Sequence, residues 1–188
     1  MDDSQVLTVL GGFAVFFLII GLVLYLLDAI STFKYLKVRG YESSWMAFIP
    51  FVNVWATVEA TYGKVDKIKV YGWNAPAVVI KLWALVTIVL AGIATRIPGI
   101  GSVLSTVIYI LNVAVLVQIY QDTMERLEKP QEIVPAVFAI LIAIISDIMI
   151  LGAAGKFQNG QIDYSTDERV LQSQAKEGGL LSFLNGGK

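Results

Sequence analysis

The sequence predicts an all-α, polytopic membrane protein: four transmembrane helices plus one Pro-broken re-entrant or interfacial helix. Three observations carry that prediction. Of the 188 residues, 56% are hydrophobic and the mean hydropathy is +0.70, above the roughly 45–50% apolar content of soluble domains. The apolar residues gather into runs close to the ~20 residues that cross ~30 Å of hydrocarbon. One further run, residues 44–63, is apolar enough to enter a bilayer, yet it is short, is broken by Pro50 and carries Asn53 and Glu59. The organisation expected is a helical membrane domain over residues 1–155 and a polar, mostly disordered tail over residues 156–188.

The first span is residues 6–27, which contain no charge. Its start, Met1-Asp2-Asp3, lacks the basic region of a signal peptide, so this helix is expected to be retained. Gly11, Ala14, Leu18, Gly21, Tyr25 and Asp28 recur at helical spacing, and small residues on one face let a neighbouring helix approach. From residue 28 to 39 the pattern turns amphipathic, with Lys34, Lys37 and Arg39 among Ile30, Phe33 and Leu36, and Gly40 is a helix stop. This reads as a helix leaving along the membrane surface.

The Pro50 stretch follows. Pro50 removes a backbone donor and disfavours helix at Ile49. Asn53, Thr57 and Thr61 lie one turn apart on a single face, which must meet protein or water. Residues 62–74 read as a polar loop with Lys64, Lys67 and Lys69 against Asp66, and Trp73 as an interfacial anchor. Pro76 fits the first turn of a second span that ends near residue 95 and contains Lys81. Arg96-Ile97-Pro98-Gly99-Ile100-Gly101 is a tight turn. The third span runs from 102 to about 120, with Ser102, Ser105, Tyr109 and Asn112 as a polar stripe. A charged loop, 122–131, leads to the last span, residues 133–153, which contains Ser146-Asp147. The tail beyond Gly155 is rich in Gly, Gln and Ser, with one apolar knot, Leu180-Leu181-Ser182-Phe183-Leu184.

Topology turns on residues 44–62. If they only dip into the membrane, the basic clusters Lys34/Lys37/Arg39 and Lys64/Lys67/Lys69 share one side with Arg126 and Lys129, against Arg96 alone. The positive-inside rule favours that arrangement. It places the basic loops in the cytoplasm and, with four spans, both termini outside.

Trp45-x-x-x-Ile49-Pro50-x-x-Asn53 resembles the mark of a family of small, functionally uncharacterised bacterial multi-pass membrane proteins. In that family a Trp/Ile-Pro/Asn segment follows the first helix and a second Ile-Pro recurs downstream. Here Ile97-Pro98-Gly99-Ile100-Gly101 takes the second place without the Asn, so an internal repeat is degraded. Pro135-Ala136-Val137-Phe138 and a final helix near Leu151-Gly152 also fit, so that the resemblance covers residues 6–157. It implies a multi-pass fold in the cell membrane and no particular activity.

Net charge is −1, which gives no global basic field and argues against nucleic acid. The chain has no cysteine and no histidine, removing thiolate chemistry, the commonest general base and the commonest metal ligand. No nucleotide loop, zinc spacing or nucleophile elbow occurs; Gly11-Gly12 and Gly99-x-Gly101 are packing and turn glycines. Neither a catalytic residue, a cofactor site nor a metal site is therefore expected. The polar positions that stand out are Asn53, Glu59, Lys81, Ser102, Ser105, Tyr109, Asn112 and Asp147, with Asp28 at a membrane boundary. Lys81 is expected to snorkel to cytoplasmic headgroups, and Asp147 to meet water or the hydroxyls of Ser102 and Ser105 near the outer surface. The first functional expectation is an accessory or structural subunit that docks another membrane protein or self-associates in the lipid bilayer. The alternative is a small oligomeric channel or transporter for an ion or small solute. An intramembrane enzyme would need paired carboxylates or a Ser/Lys pair at diagnostic spacing, and none is found.

Overall fold

The computed structural model describes residues 3–162. The remaining tail, and with it the knot at 180–184, lies outside the described residues. The protein is mostly helical. In chain order it has α1 (Asp3–Val38), a 3-10 turn (Ser44–Phe48), α2 (Val52–Tyr62), β1 (Lys67–Val70), β2 (Trp73–Pro76), α3 (Ala77–Lys81), α4 (Trp83–Ala94), α5 (Gly101–Arg126), α6 (Ile133–Leu141) and α7 (Ala143–Ala154). Two helices are long and apolar enough to cross a membrane, α1 over Gly11–Val38 and α5 over Gly101–Arg126.

Of the four expected spans, α1 and α5 are single long helices, the second is interrupted at Leu82, and the last is the bent α6–α7 pair, which makes a third candidate span if the pair is taken as one. First, α1 does not end near residue 27 and turn onto the surface; it continues to Val38. Nothing in residues 28–38 breaks a helix, and their amphipathic face is buried by protein: Ala29, Tyr35, Leu36 and Val38 are all closed off from solvent, packed against α2 and α7. The helix ends in a Schellman turn, with Gly40 at φ 68° and the Tyr41 amide donating to the Leu36 carbonyl at 2.9 Å.

The chain then doubles back along α1. The Phe33 and Phe48 rings meet at 5.5 Å, and the Tyr25 hydroxyl donates to the Phe48 carbonyl. At Pro50-Phe51 it reverses. Phe51 adopts φ 67°, a conformation that costs a side-chain-bearing residue of order 1–3 kcal/mol. From this turn α2 runs back toward the Val38 end of α1. There Arg39 Nε donates to the Ala60 carbonyl at 2.9 Å and Arg126 Nε to the Thr61 carbonyl at 3.1 Å. Two guanidinium groups thus take up carbonyls left open at the C-terminus of α2, where cationic charge also suits the helix dipole.

Residues 67–76, expected as loop, form a β-hairpin. Val70 pairs with Trp73, and the two residues between them, Tyr71 at φ 44° and Gly72 at φ 88°, make the left-handed two-residue turn that suits twisted strands. Ile68, Val70 and Ala75 face inward against Val58, Ile80, Trp83 and Ile119, while Lys67 and Lys69 point out. Pro76 closes the hairpin opposite Lys67, so the following helix begins only at Ala77. That helix is interrupted at Leu82 before α4 antiparallels α5 through the Arg96–Gly101 turn.

The expected last span is also broken. α6 and α7 are bent by 116° at Ile142. α6 begins beside the C-terminal half of α5, where Gln121 Nε2 donates to the Gln131 carbonyl at 3.0 Å. α7 returns along α1 to the Val38 end, and ordered contacts continue past Gly155. The Gly160 amide donates to Lys37 O at 2.7 Å and the Ile162 amide to Val38 O at 3.1 Å, closing carbonyls of the last turn of α1. Both broken segments, 44–62 and 133–154, therefore begin and end near the Val38 end of α1 and have their bends well along its length.

α5 ends in the same Schellman turn as α1, with the Lys129 amide on Met124 O at 2.9 Å, but its left-handed position is Glu128 at φ 54° rather than glycine. Glu128 is exposed and Pro130 follows. Glu128→Gly is expected to raise stability by about 0.5–1 kcal/mol, read as a higher unfolding midpoint in mild detergent; an unchanged or lower midpoint would contradict this reading of the turn.

Candidate functional site

The bends bring together side chains from four helices around one cavity of about 140 Å³. α1 supplies Asp28 and Thr32, α2 supplies Asn53 and Thr57, α5 supplies Tyr120 and Thr123, and α7 supplies Ser146 and Asp147. The cavity lies level with Asp28, about 15 Å along α1 from Val38. It adjoins a larger, mainly apolar cleft of about 520 Å³ that reaches Leu24, Tyr25 and the Ile142 bend. Asp28 and Asp147 line both spaces.

Local sequence fixes each group. Asn53 sits in the first turn of α2. Its Oδ1 accepts from the Val54 amide at 2.8 Å, which orients the amide group so that Nδ2 donates to Asp28 Oδ2 at 2.8 Å. Ser31, one turn beyond Asp28, lies 2.9 Å from the Asp28 carbonyl and 3.2 Å from Asp147 Oδ1. Thr57 bonds back to Asn53 O at 2.8 Å and keeps its oxygen on the cavity wall. Ser146 Oγ bonds back to Ala143 O at 2.7 Å within its own helix. Asp147 is only 6% exposed. Each carboxylate thus has one oxygen held by a protein donor, and neither has a basic partner among the described residues. About two turns closer to the Val38 end, hydroxyls link α1, α2 and α5. Tyr35 and Thr61 hydroxyls meet at 2.8 Å, and Thr61 reaches Thr123 at 3.3 Å.

Two expectations are corrected here. Asp147 does not lie near Ser102 and Ser105 at the outer surface. The 116° bend turns α7 back, so that Asp147 faces Ser31 of α1. Lys81 does not snorkel to headgroups. It is 9% exposed, its Nζ is 3.7 Å from Glu59 Oε2 and it rests 5.0 Å over the Trp55 ring. The same Glu59 oxygen accepts from Trp55 Nε1 at 2.9 Å and from the Tyr41 hydroxyl at 3.3 Å. Helix α3 is what delivers Lys81 there, since it packs on α2.

The polar stripe of α5 forms a separate place. Asn112 Oδ1 accepts from Trp83 Nε1 at 3.1 Å, and Ser105 Oγ is buried without a partner among the described residues, beside a space of about 330 Å³ shared with Thr87, Tyr109 and Asn112. Ser102 and Tyr109 are exposed. Of the positions singled out from sequence, the central cavity uses Asn53 and Asp147, while Glu59 and Lys81 pair beside it. Asp28, read from sequence as a boundary residue, also lines it, and Ser31, Thr32 and Thr123 are not among the residues singled out from sequence. Asp28, Ser31 and Thr32 at positions i, i+3 and i+4 of one apolar helix are the signal that marks them. Outside the spans, burial and then the Asp122 carboxylate, 2.6 Å away, push the Tyr62 phenol well above its usual range, so it stays a donor.

No family model, curated protein or solved structure matches the chain, and its function is read from its own geometry. Asn53 is the donor that holds Asp28. Asn53→Ala should cost about 1–3 kcal/mol, because it leaves a half-buried carboxylate oxygen without its bond. Detergent unfolding measures this, and a loss below about 0.5 kcal/mol would show that the bond is not made.

Proposed function

We propose that this is a small cation-handling membrane protein of the channel or transporter class, built around the Asp28–Asp147 cavity. The observation that carries the reading is that two carboxylates face one internal space with no basic residue of the described chain to neutralise them. An ionisable group within a membrane segment is expensive and marks an ion or substrate pathway by default. Broken helices converging on a polar site are also how irregular backbone is accommodated at membrane depth, since the freed groups can line a cavity.

The topology proposed with it has three crossings: α1, the α3–α4 pair and α5. Residues 44–62 and the α6–α7 pair are two re-entrant hairpins that enter from the same side. The support is that both hairpins start and finish near the Val38 end of α1. The basic residues Lys34, Lys37, Lys64, Lys67, Lys69 and Lys129 then share that side, which the positive-inside rule makes cytoplasmic. The first residues stand outside and the chain beyond α7 inside.

A second reading, an accessory subunit that docks another membrane protein or a second copy, is favoured by the first half of α1. Residues 11–24 are exposed on every face, and a Cβ added at Gly11, Gly12 or Gly21 would meet nothing. Native electrophoresis in mild detergent separates the two: a stoichiometric partner supports docking, and the chain migrating alone removes it.

Proteoliposomes loaded with proton-, sodium- and divalent-sensitive dyes should report flux of one of these cations, and Asp147→Asn should lower it by roughly tenfold or more while the protein still folds. Absence of flux for all three would remove the transport reading. The chain has no native cysteine, which makes topology directly measurable. Single cysteines at Lys37, Lys67 and Lys156 should label from one side with an impermeant maleimide, and one at Arg96 from the other. Lys156 labelling together with Arg96 would restore a four-span arrangement.

A further inference from the structure

We infer that Asp28, Asp147 and Thr32 form a site for one hard divalent cation that keeps part of its water shell. The inference deepens the cation-handling reading and rests on its cavity, but not on flux.

Three observations lead there. The first is charge. Two carboxylates face one cavity, one of them on a residue 6% exposed, and neither has a basic partner among the described residues. Buried charge is retained when paired or when it coordinates a metal, and a divalent ion neutralises the pair in one step. The second is an idle hydroxyl. Thr32 is 8% exposed, lines the same cavity and makes no hydrogen bond among the described residues. A helical threonine ordinarily bonds back to the preceding turn, and Thr32 makes no such bond. The Thr32 hydroxyl is left for whatever enters the cavity. The third is room and donor type. About 140 Å³ is open, and a water needs roughly 10–15 Å³ of such space, so several waters fit around an ion. All three side chains offer oxygen, and the chain contains no cysteine or histidine, which suits Mg²⁺, Ca²⁺ or Mn²⁺ rather than softer metals.

The protein donors already present prepare the site rather than fill it. Asn53 holds Asp28 Oδ2 and Ser31 holds Asp147 Oδ1, so that the other oxygen of each carboxylate is free. Outer donors of this kind orient metal ligands and raise affinity.

Mn²⁺ is the probe. Titrated into the full-length protein in mild detergent and followed by electron paramagnetic resonance, it should bind at one ion per chain. Mg²⁺ or Ca²⁺ should displace it, and Na⁺ at matched ionic strength should not. Asp28→Asn and Asp147→Asn should each weaken binding by on the order of 100-fold, and Thr32→Val by roughly 10-fold. Thr32→Val keeps the shape and charge of the site, so it decides the matter if the aspartate variants misfold. No bound Mn²⁺, displacement by Na⁺, or parental affinity in Thr32→Val overturns the inference. Binding without flux in proteoliposomes would overturn transport and leave the site standing. Flux without Mn²⁺ binding would do the reverse.

Discussion

A helix broken inside a protein exposes backbone N–H and C=O groups that something must satisfy, and in hydrocarbon the penalty for failing is several kcal/mol per group. The structure is arranged around two such breaks. At the first, Asn53 occupies the opening turn of α2, accepts from the Val54 amide and spends its donor on Asp28. At the second, the Ile142 amide donates to Phe138 O at 3.0 Å and the Ile145 amide to Ile142 O at 2.8 Å. The far end of α2 is closed by Arg39 and Arg126, and the far end of α1 by the Gly160 and Ile162 amides. The far ends are met by residues from distant parts of the chain, which ties the broken segments to α1 and α5.

Buried charge is handled in two different ways. Glu59 Oε2 takes Trp55, Tyr41 and the cation of Lys81, and Lys81 is covered by the Trp55 ring. That cluster is self-contained and locks α2 to α3 and to the exit of α1. Asp28 and Asp147 each receive one neutral donor and no cation among the described residues. The contrast is what separates a structural polar cluster from a site that waits for something. A carboxylate already neutralised by a cation offers a ligand little, whereas one on a cavity without a cation does.

The Trp45-x-x-x-Ile49-Pro50-x-x-Asn53 string acquires a physical meaning at these breaks. Pro50 and the left-handed Phe51 make the reversal, and Asn53 turns the new helix N-terminus into a carboxylate clamp. Strain at Phe51 persists because the turn is held on both sides, by Tyr25 on the Phe48 carbonyl and by the Asn53 amide on Ile49 O at 3.1 Å.

Composition and hydropathy by themselves determined that the chain is a mostly helical protein with membrane-length apolar helices, because burial in lipid demands long apolar runs whatever their partners. They also marked Pro50, Asn53, Gly40 and Asp147, whose chemistry is local. The β-hairpin was partly legible in Lys67-Ile68-Lys69-Val70 followed by Gly72, an alternation overshadowed by its lysines. What the sequence left open is what packs on what. Residues 28–38 look amphipathic toward a membrane surface, but the apolar stripe meets α2 and α7. Residues 133–153 look like one span, since Ile142 is no helix breaker; only the contacts of α7 with α1 turn the axis by 116°. That turn brings Asp147 to Asp28, a pairing across more than one hundred residues that no local pattern encodes. Depth and company of a polar side chain are properties of the assembled bundle, and they decided which of the sequence's polar residues became a site.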